Sequence, residues 1–165
     1  REPELVPANL NTLVTDIVEL MQARADESSV SIHCQLEDTM PILMLDPESL
    51  HRAILNVVTN GIDACEQTTA GSVLLETSYD LATEMATVAI TDNGPGIPPA
   101  DQEKIFNLFE SKKGARGTGL GLAVTRKILQ EYNGHVEVTS APGQGSRFTL
   151  TLPAAAATTA PPGET

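Results

Sequence analysis

The sequence predicts a single α/β domain, in which amphipathic helices and strands alternate along the chain. Its 165 residues suit one domain, and 41% of them are hydrophobic. With three Phe, two Tyr and no Trp, the core should be mainly aliphatic. Three segments carry apolar residues at helical spacing, and segments with strand-like alternation lie between and after them.

The first half of the chain predicts two helices and two short β segments. Over residues 9–25 apolar side chains recur at three- and four-residue steps, which indicates an amphipathic helix. Residues 31–36 are β-prone, and residues 42–45 form a short apolar run. Asp46 can then cap a second helix over about residues 47–66, whose first residue is a proline.

The second half of the chain predicts four strands around one more long helix. The expected elements are strands at 73–79 and 85–91, a short helical segment at 101–109, a helix at 120–132 and strands at 135–140 and 146–152. Gly134 ends the helix, and the last two strands form a hairpin. Residues 154–165 are rich in Ala, Thr and Pro, which predicts a disordered tail.

The distribution of charge predicts a small polyanion as the ligand. The formal net charge of −12 argues against nucleic acid as a partner, because binding a phosphate backbone needs a broad basic face. Yet six of the ten basic residues lie in a short window where Glu110 is the only acid, and they are Lys104, Lys112, Lys113, Arg116, Arg126 and Lys127. Such a local basic segment suits a small anion, although a solvated helix face would also explain Arg126 and Lys127.

Cysteine spacing and hydropathy predict a cytoplasmic segment. Cys34 and Cys65 have neither metal-type nor redox-type spacing, so reduced thiols are expected. No apolar run approaches the roughly 18 residues that span a bilayer, and the first residues do not resemble a signal peptide. We therefore expect no membrane contact by this segment, whereas a longer parent protein could be membrane-anchored.

Two glycine-rich clusters, at residues 92–96 and 117–122, predict a nucleotide pocket. Glycine lets a base or phosphate approach the backbone, and the second cluster leads into a helix whose N-terminus can hold anions. This cluster lacks both the Gly-Lys-Ser/Thr of a Walker A loop and the spacing of a dinucleotide fingerprint. The expected ligand is a nucleoside triphosphate, whose β- and γ-phosphates would meet the backbone N–H groups of residues 118–122.

Polar side chains complete the predicted pocket. Asn56, Asn60 and Asp63 share one face of the second helix, where amide oxygens could bind phosphate-bound Mg²⁺, although two amides alone would better suit a solvated face. Asp92 follows a strand and could accept a hydrogen bond from the exocyclic amine of adenine. The alternative is an ordinary Asp-Asn-Gly turn, but the two glycines around Pro95 favour a base-binding loop.

The order of these motifs resembles that in the catalytic, ATP-binding domain of bacterial sensor histidine kinases. The matching segments are 56–64 (N box), 92–96 (G1 box), 105–109 (F box), 117–122 (G2 box) and 143–148 (the last glycine motif). The resemblance covers nearly everything between residues 10 and 153. It implies the Bergerat fold, an α/β two-layer sandwich whose mixed β-sheet carries three helices on one face, with ATP held between a helix and a lid.

The resemblance also implies a role for each matching position. The residues that would hold the adenine are Asp92, Gly94, Gly96, Ile97 and Ser146. The residues that would hold the phosphates and Mg²⁺ are Asn56, Asn60, Asp63, Lys113, Arg116, Gly117, Thr118, Gly119, Leu120, Gly121 and Leu122. Among them Asn60 would bind the metal, and Lys113 and Arg116 would approach the γ-phosphate from the lid. All three would take part in catalysis of its transfer.

The same resemblance implies a second domain that receives the phosphoryl group. None of His33, His51 and His135 stands in the sequence setting of the family's phosphoacceptor helix. We therefore expect residues 1–8 to be a linker from an absent dimerisation and phosphoacceptor domain, residues 9–153 to be the catalytic domain, and a response regulator to act downstream.

Two other activities remain open. Related ATPases, such as the type II topoisomerases and the Hsp90 chaperones, carry a Glu base where this chain has Asn56, which favours a kinase over an ATPase. A protein-serine kinase of the anti-sigma-factor type shares the motifs. Two positions depart from the family pattern: Gly61 stands where Ala is usual, and Glu110 replaces a commonly apolar lid residue.

Overall fold

A computed structural model, which describes residues 2–107 and 121–158, shows a mixed sheet covered by helices. In chain order the elements are β1 (Val6–Ala8), α1 (Leu10–Glu27), β2 (Ser31–Gln35), β3 (Leu43–Leu45), α2 (Pro47–Ala64), β4 (Ser72–Asp80), β5 (Met85–Asp92), two 3₁₀ turns (Pro99–Asp101 and Lys104–Phe106), α3 (Gly121–Glu131), β6 (His135–Ser140) and β7 (Ser146–Pro153). Within the described residues, five strands pair in the order β2–β4–β5–β7–β6, and β1 pairs with β3 in a small second sheet. The β2–β4 pair is parallel and its neighbours are antiparallel.

One face of the main sheet forms the core together with the helices. Leu75, Ile90 and Phe148 lie side by side across β4, β5 and β7, and each is at most 1% exposed. α2 contacts β4 and β5, α3 contacts β6 and β7, and α1 contacts β2 and α2. The alternation of buried and exposed residues along each strand therefore points one set of side chains into a single aliphatic core.

The opposite face of the sheet is polar. There Arg147 on β7 donates hydrogen bonds to the Thr91 hydroxyl on the adjacent β5 (3.0 Å) and to the Glu76 carboxylate on β4, one strand further (2.9 Å). A sheet with one buried and one solvated face has two layers, so the predicted α/β two-layer sandwich with helices on one face is confirmed.

Side-chain caps define where the first two long helices begin. Asn9 Oδ1 accepts the N–H of Thr12 (3.0 Å) at the start of α1, and Asp46 Oδ1 accepts the N–H of Ser49 (3.3 Å) at the start of α2. Both N-termini lie where the sequence predicts them. The second carboxylate oxygen of Asp46 also accepts the N–H of Glu4 (3.0 Å), so this side chain ties the segment before β1 to α2.

The helices are amphipathic and belong to this core. α1 and α2, with 18 residues each, bury one stripe of side chains and expose the other. None of the helices that the structure describes is long and apolar enough to cross a membrane.

The structure differs from the sequence prediction at both ends of the domain. Val6–Ala8, predicted as part of a linker, pair antiparallel with β3. On the other edge of β3 the N–H of Met44 donates to the carbonyl of Ala155 (2.9 Å), so the predicted tail begins as a paired segment. These contacts join main-chain groups that are far apart in sequence, and no side-chain periodicity indicates them. Residues 159–165 lie outside the described residues.

The predicted short helix at 101–109 also takes a different form. The chain makes two 3₁₀ turns, Pro99–Asp101 and Lys104–Phe106, and residues 108 and 109 lie outside the described residues. Proline has no N–H to donate, and the tighter 3₁₀ bonds bring Phe106 into the core, where it is 8% exposed.

Replacing the two helix caps should have unequal effects on stability. We expect Asn9→Ala to lower the free energy of unfolding by about 1 kcal/mol, the usual value for an N-cap. Asp46→Ala should cost about 2 kcal/mol or more, because Asp46 is 4% exposed and accepts two backbone N–H groups. Urea denaturation measures both losses, and equal losses would contradict this role of Asp46.

Candidate functional site

The carboxylate of Asp92 lies buried at the end of β5. Asp92 is 4% exposed, and its Oδ1 accepts the N–H of Gly94 at 2.9 Å. Across the sheet it stands opposite Val73 of β4 and Ser146 of β7. An ordinary Asp-Asn-Gly turn would also make the hydrogen bond to Gly94. A turn at the surface, however, does not need a buried carboxylate. Its burial favours the interpretation as a binding residue.

Glycines bring the loop after Asp92 against the β6–β7 turn. Gly96 and Gly145 have φ of +80° and +72°, and a Cβ on either would collide with the carbonyl oxygen of Ala141 or Asp92, respectively. The N–H of Gly143 donates to the carbonyl of Pro95 at 2.7 Å. The two loops therefore pack backbone to backbone beside the buried carboxylate.

Ser140, which the sequence does not single out, connects these two loops. Its hydroxyl oxygen accepts the N–H of Ile97 (2.8 Å), and its proton is donated to the carbonyl of Gly145 (2.7 Å). Because a hydroxyl has one proton, the 3.0 Å contact between Ser140 and Ser146 is donated by Ser146. The structure thus places Ser146 in the register position opposite Asp92, with its proton directed to Ser140.

Asn93 joins the other side of this loop to the segment that follows α2. Its Oδ1 accepts the N–H of Ser72 (2.7 Å), and its Nδ2 donates to the carbonyl of Ala70 (3.0 Å). Cys65 lies 3.5 Å from the same Oδ1. Burial, with the nearby charge of Asp92, raises the pKa of the Cys65 thiol above its usual value, so this thiol is neutral at pH 7.

The two predicted asparagines lie on α2, which contacts both β5 and α3. The Nδ2 of Asn56 donates to the carbonyl of Gly121, the first residue of α3, at 3.1 Å. Asn60 is half-buried one turn further along α2. The next residue, Gly61, lies against β5, since a Cβ placed there would be 3.7 Å from the Cβ of Asp92. One helix therefore borders both the predicted adenine side and the predicted phosphate side.

Asp63 has a different neighbour from the two asparagines. Its carboxylate pairs with the guanidinium of Arg24 on α1 at 3.0 Å, and its side chain is 10% exposed. The polar side chains predicted to share one face of α2 therefore have different neighbours. Asn56 contacts α3, and Asp63 contacts α1. A nucleotide contact by Asp63 remains a prediction.

Phe106 anchors the segment that precedes residues 108–120. Its ring packs edge-on against Phe148 with centroids 6.1 Å apart, and the guanidinium of Arg126 lies 5.7 Å from its centroid. Arg126 thus has an aromatic partner, and Lys127 is exposed on the same helix. Both fit the helix-face interpretation.

Much of the predicted lid and second glycine cluster falls in residues 108–120. Phe109, Glu110, Lys113, Arg116, Gly117, Thr118, Gly119 and Leu120 lie outside the described residues. Leu122, on the first turn of α3, is half-buried and packs against the core.

Comparison with known proteins identifies the family. The family described as "Histidine kinase-, DNA gyrase B-, and HSP90-like ATPase" matches residues 45–156. The chain belongs to this family. That match spans α2, the Asp92 loop and the β6–β7 hairpin, so it contains the site just described.

Relatives of this ATP-binding domain are sensor histidine kinases. The sensor histidine kinase ZraS of Escherichia coli O157:H7 is 34% identical over 149 residues, which cover 90% of this chain and 31% of ZraS. The signal transduction histidine-protein kinase AtoS of Escherichia coli (strain K12) is 33% identical over 153 residues, which cover 93% of this chain and 24% of AtoS. The chain thus spans about a third or less of the length of these two relatives.

Solved structures agree with the sequence relatives. Full-length ShkA in complex with AMPPNP superposes with a TM-score of 0.86 at 30% identity, covering 95% of this chain and 32% of that one. The nucleotide-free catalytic domain of the histidine kinase ThkA gives a TM-score of 0.78 at 26% identity, covering 91% and 95%. The chain is therefore a catalytic, ATP-binding domain of the histidine kinase type, as the motifs predict.

Two glycines of the β6–β7 turn test how this ATP-binding domain holds Asp92. Gly143 and Gly145 both have positive φ, but a Cβ on Gly143 would have no neighbour within 4 Å. We expect Gly143→Ala to cost about 1 kcal/mol of stability through its backbone conformation alone. Gly145→Ala should cost about 2 kcal/mol more, because the methyl group collides with the carbonyl of Asp92.

Urea denaturation and calorimetric titration with ATP measure these two variants. Gly145→Ala should also weaken ATP binding, whereas Gly143→Ala should not. If the two variants lose the same stability and bind ATP with the same affinity, contact with Gly145 does not position Asp92.

Proposed function

We propose that this domain binds ATP with Mg²⁺ and transfers the γ-phosphoryl group to a histidine on a separate domain of a larger protein. The observation that carries the proposal is that α2 presents Asn56, an amide, to the first residue of α3. Its amide is engaged with Gly121, and an amide cannot act as the general base that activates water. Phosphoryl transfer to a positioned side chain needs mainly orientation and charge stabilisation.

Asp92 would select adenine. A carboxylate accepts hydrogen bonds only, so it suits the exocyclic amine of adenine and repels the carbonyl oxygen that guanine has at the same place. Its burial strengthens this discrimination, because an unpaired group there would not regain water. The close packing at Gly96 and Gly145 leaves no room for a side chain there, so the loop lies directly against the β6–β7 turn.

Asn60 and the N-terminus of α3 would serve the phosphates. Among the described residues no group of three or more His, Cys, Asp or Glu is placed to hold a metal ion. The donor set fits Mg²⁺, which commonly takes one or two protein oxygens and completes its shell with phosphate and water. Bound Mg²⁺ would neutralise charge on the β- and γ-phosphates, while Asn60 orients it and backbone N–H groups at the start of α3 face the anion.

The histidine that accepts the phosphoryl group would lie elsewhere in the full protein. His33 and His135 are exposed on strands, and His135 Nε2 lies 3.4 Å from the Glu137 carboxylate. His51 lies on α2 near its beginning, about a turn and a half before Asn56. We therefore assign the acceptor to a dimerisation and phosphoacceptor domain of the same protein, with a response regulator downstream. The lid residues Lys113 and Arg116 would stabilise the charge of the transferred group.

Replacing Asp92 tests the adenine pocket. Asp92→Asn should weaken ATP binding about tenfold to a hundredfold, because the variant loses a charge-assisted hydrogen bond. GTP should bind poorly to both proteins. Glu76→Gln, which alters a carboxylate on the polar face of the sheet, is the control and should leave ATP affinity unchanged. Unchanged ATP affinity of Asp92→Asn in a calorimetric titration would refute the assigned pocket.

Phosphotransfer tests the reaction. Incubated with γ-labelled ATP and the phosphoacceptor domain of its full-length protein, the chain should label that domain with acid-labile, base-stable phosphate, and Asn60→Ala should abolish the label. The chain alone should release phosphate negligibly. Acid-stable label on a serine-bearing antagonist would instead indicate a serine kinase, and rapid sustained phosphate release that Asn60→Ala abolishes would indicate an ATPase.

A further inference from the structure

Hydrogen bonds join α2 and α3 at three levels within the described residues. We call these contacts the α2–α3 ladder: Asn56 with Gly121, Ala53 with Thr125, and Asp46 with Tyr132. Along α2 the levels run from the phosphate side of the site to the N-cap, and along α3 they run in the reverse order. The two helices are therefore antiparallel, and α3 is held at both of its ends to the first half of α2.

The middle level is fully buried. The hydroxyl of Thr125 donates to the carbonyl of Ala53 at 2.9 Å, and both residues are 0% exposed. A polar bond in this dry place resists sliding of one helix along the other, because a shift would break the bond where no water can replace it.

The lowest level uses both hydrogen-bonding capacities of one tyrosine. The hydroxyl of Tyr132 accepts the N–H of Asp46 (2.7 Å) and donates to the carbonyl of the same residue (3.1 Å). Tyr132 is 6% exposed. The carboxylate of Asp46 accepts the N–H groups of Ser49 and Glu4. The backbone that Tyr132 contacts is therefore itself held in place.

The contact between Tyr132 and Asp46 fixes the axial position of α3 relative to α2. α3 has 11 residues, and a helix of that length is a stiff rod of about 16 Å. Tyr132 directly follows its last residue, and Gly121 is its first residue. A change in the axial position of α3 at Tyr132 therefore appears at Gly121, beside Asn56, where backbone N–H groups would meet the phosphates.

We propose that Tyr132 is a positioning residue for the phosphate side of the nucleotide site and acts through Asp46 and the axial position of α3. This inference rests on the proposed ATP-binding function. It assigns Tyr132 no part in holding the adenine, because the contacts described for Asp92 come from its own loop, the β6–β7 turn and Gly61 of α2.

The test compares ATP with adenosine, which lacks phosphates. In Tyr132→Phe, measured with Mg²⁺ at a temperature where circular dichroism shows the protein folded, the Kd for ATP should rise about threefold to tenfold. The Kd for adenosine should stay the same. A general loosening of the domain would weaken both ligands equally.

Tyr79→Phe provides a matched control. The hydroxyl of Tyr79 also donates to a backbone carbonyl, that of Ala154, at 2.7 Å, but it lies on β4 away from the α2–α3 ladder. This variant should leave both affinities unchanged. Tyr132→Phe overturns the proposal if both of its affinities stay unchanged or if both fall by the same factor.

A second variant covers the case in which Tyr132→Phe does not fold. Thr125→Val removes the middle level of the ladder with little change in volume, and it should lower ATP affinity selectively in the same way. Unchanged ATP affinity in Thr125→Val would then overturn the proposal. Asp92→Asn tests the proposed function independently, because it should weaken the binding of ATP and of adenosine alike. If it does so while Thr125→Val has no effect, only the role of Tyr132 is wrong.

Discussion

A buried carboxylate at the end of the central strand constrains the architecture around it. Removing a carboxylate from water is costly unless nearby groups compensate, and Asp92 is 4% exposed. The loop that follows it turns back so that the N–H of Gly94 reaches the carboxylate. The turn between β6 and β7 must then come close enough to cover it, which requires a glycine at 145. The buried carboxylate and the close, glycine-dependent contact between the two loops thus occur at one place.

α2 lies against both this carboxylate and the beginning of α3. Its Gly61 passes beside Asp92, and its Asn56 holds the first residue of α3. The capped beginning of the same helix receives Tyr132 from the end of α3. The predicted base side and the predicted phosphate side of the site therefore border one helix.

Much of this arrangement is predictable from the sequence because it depends on local rules. Asp46 followed by proline predicts the start of α2, and apolar spacing predicts its buried stripe. Asp92 at a strand end before glycines predicts a loop that binds a base. The sequence does not reveal Ser140, whose three contacts join residues from two loops. It also groups Asp63 with the asparagines, although Arg24 from another helix lies beside it.

The sequence by itself determined the α/β class, the helix starts, the strand that delivers Asp92 and the family, because each depends on residue types at short, fixed spacings. Only the tertiary structure decided which groups meet across long separations. The pairing of residues 6–8 with β3, the closure of the Asp92 loop by Ser140 and the contact of Tyr132 with Asp46 are all of this kind. Main-chain and hydroxyl groups make these contacts, and such groups leave no periodic signal in a sequence. Their partners are determined by how the helices and the sheet pack.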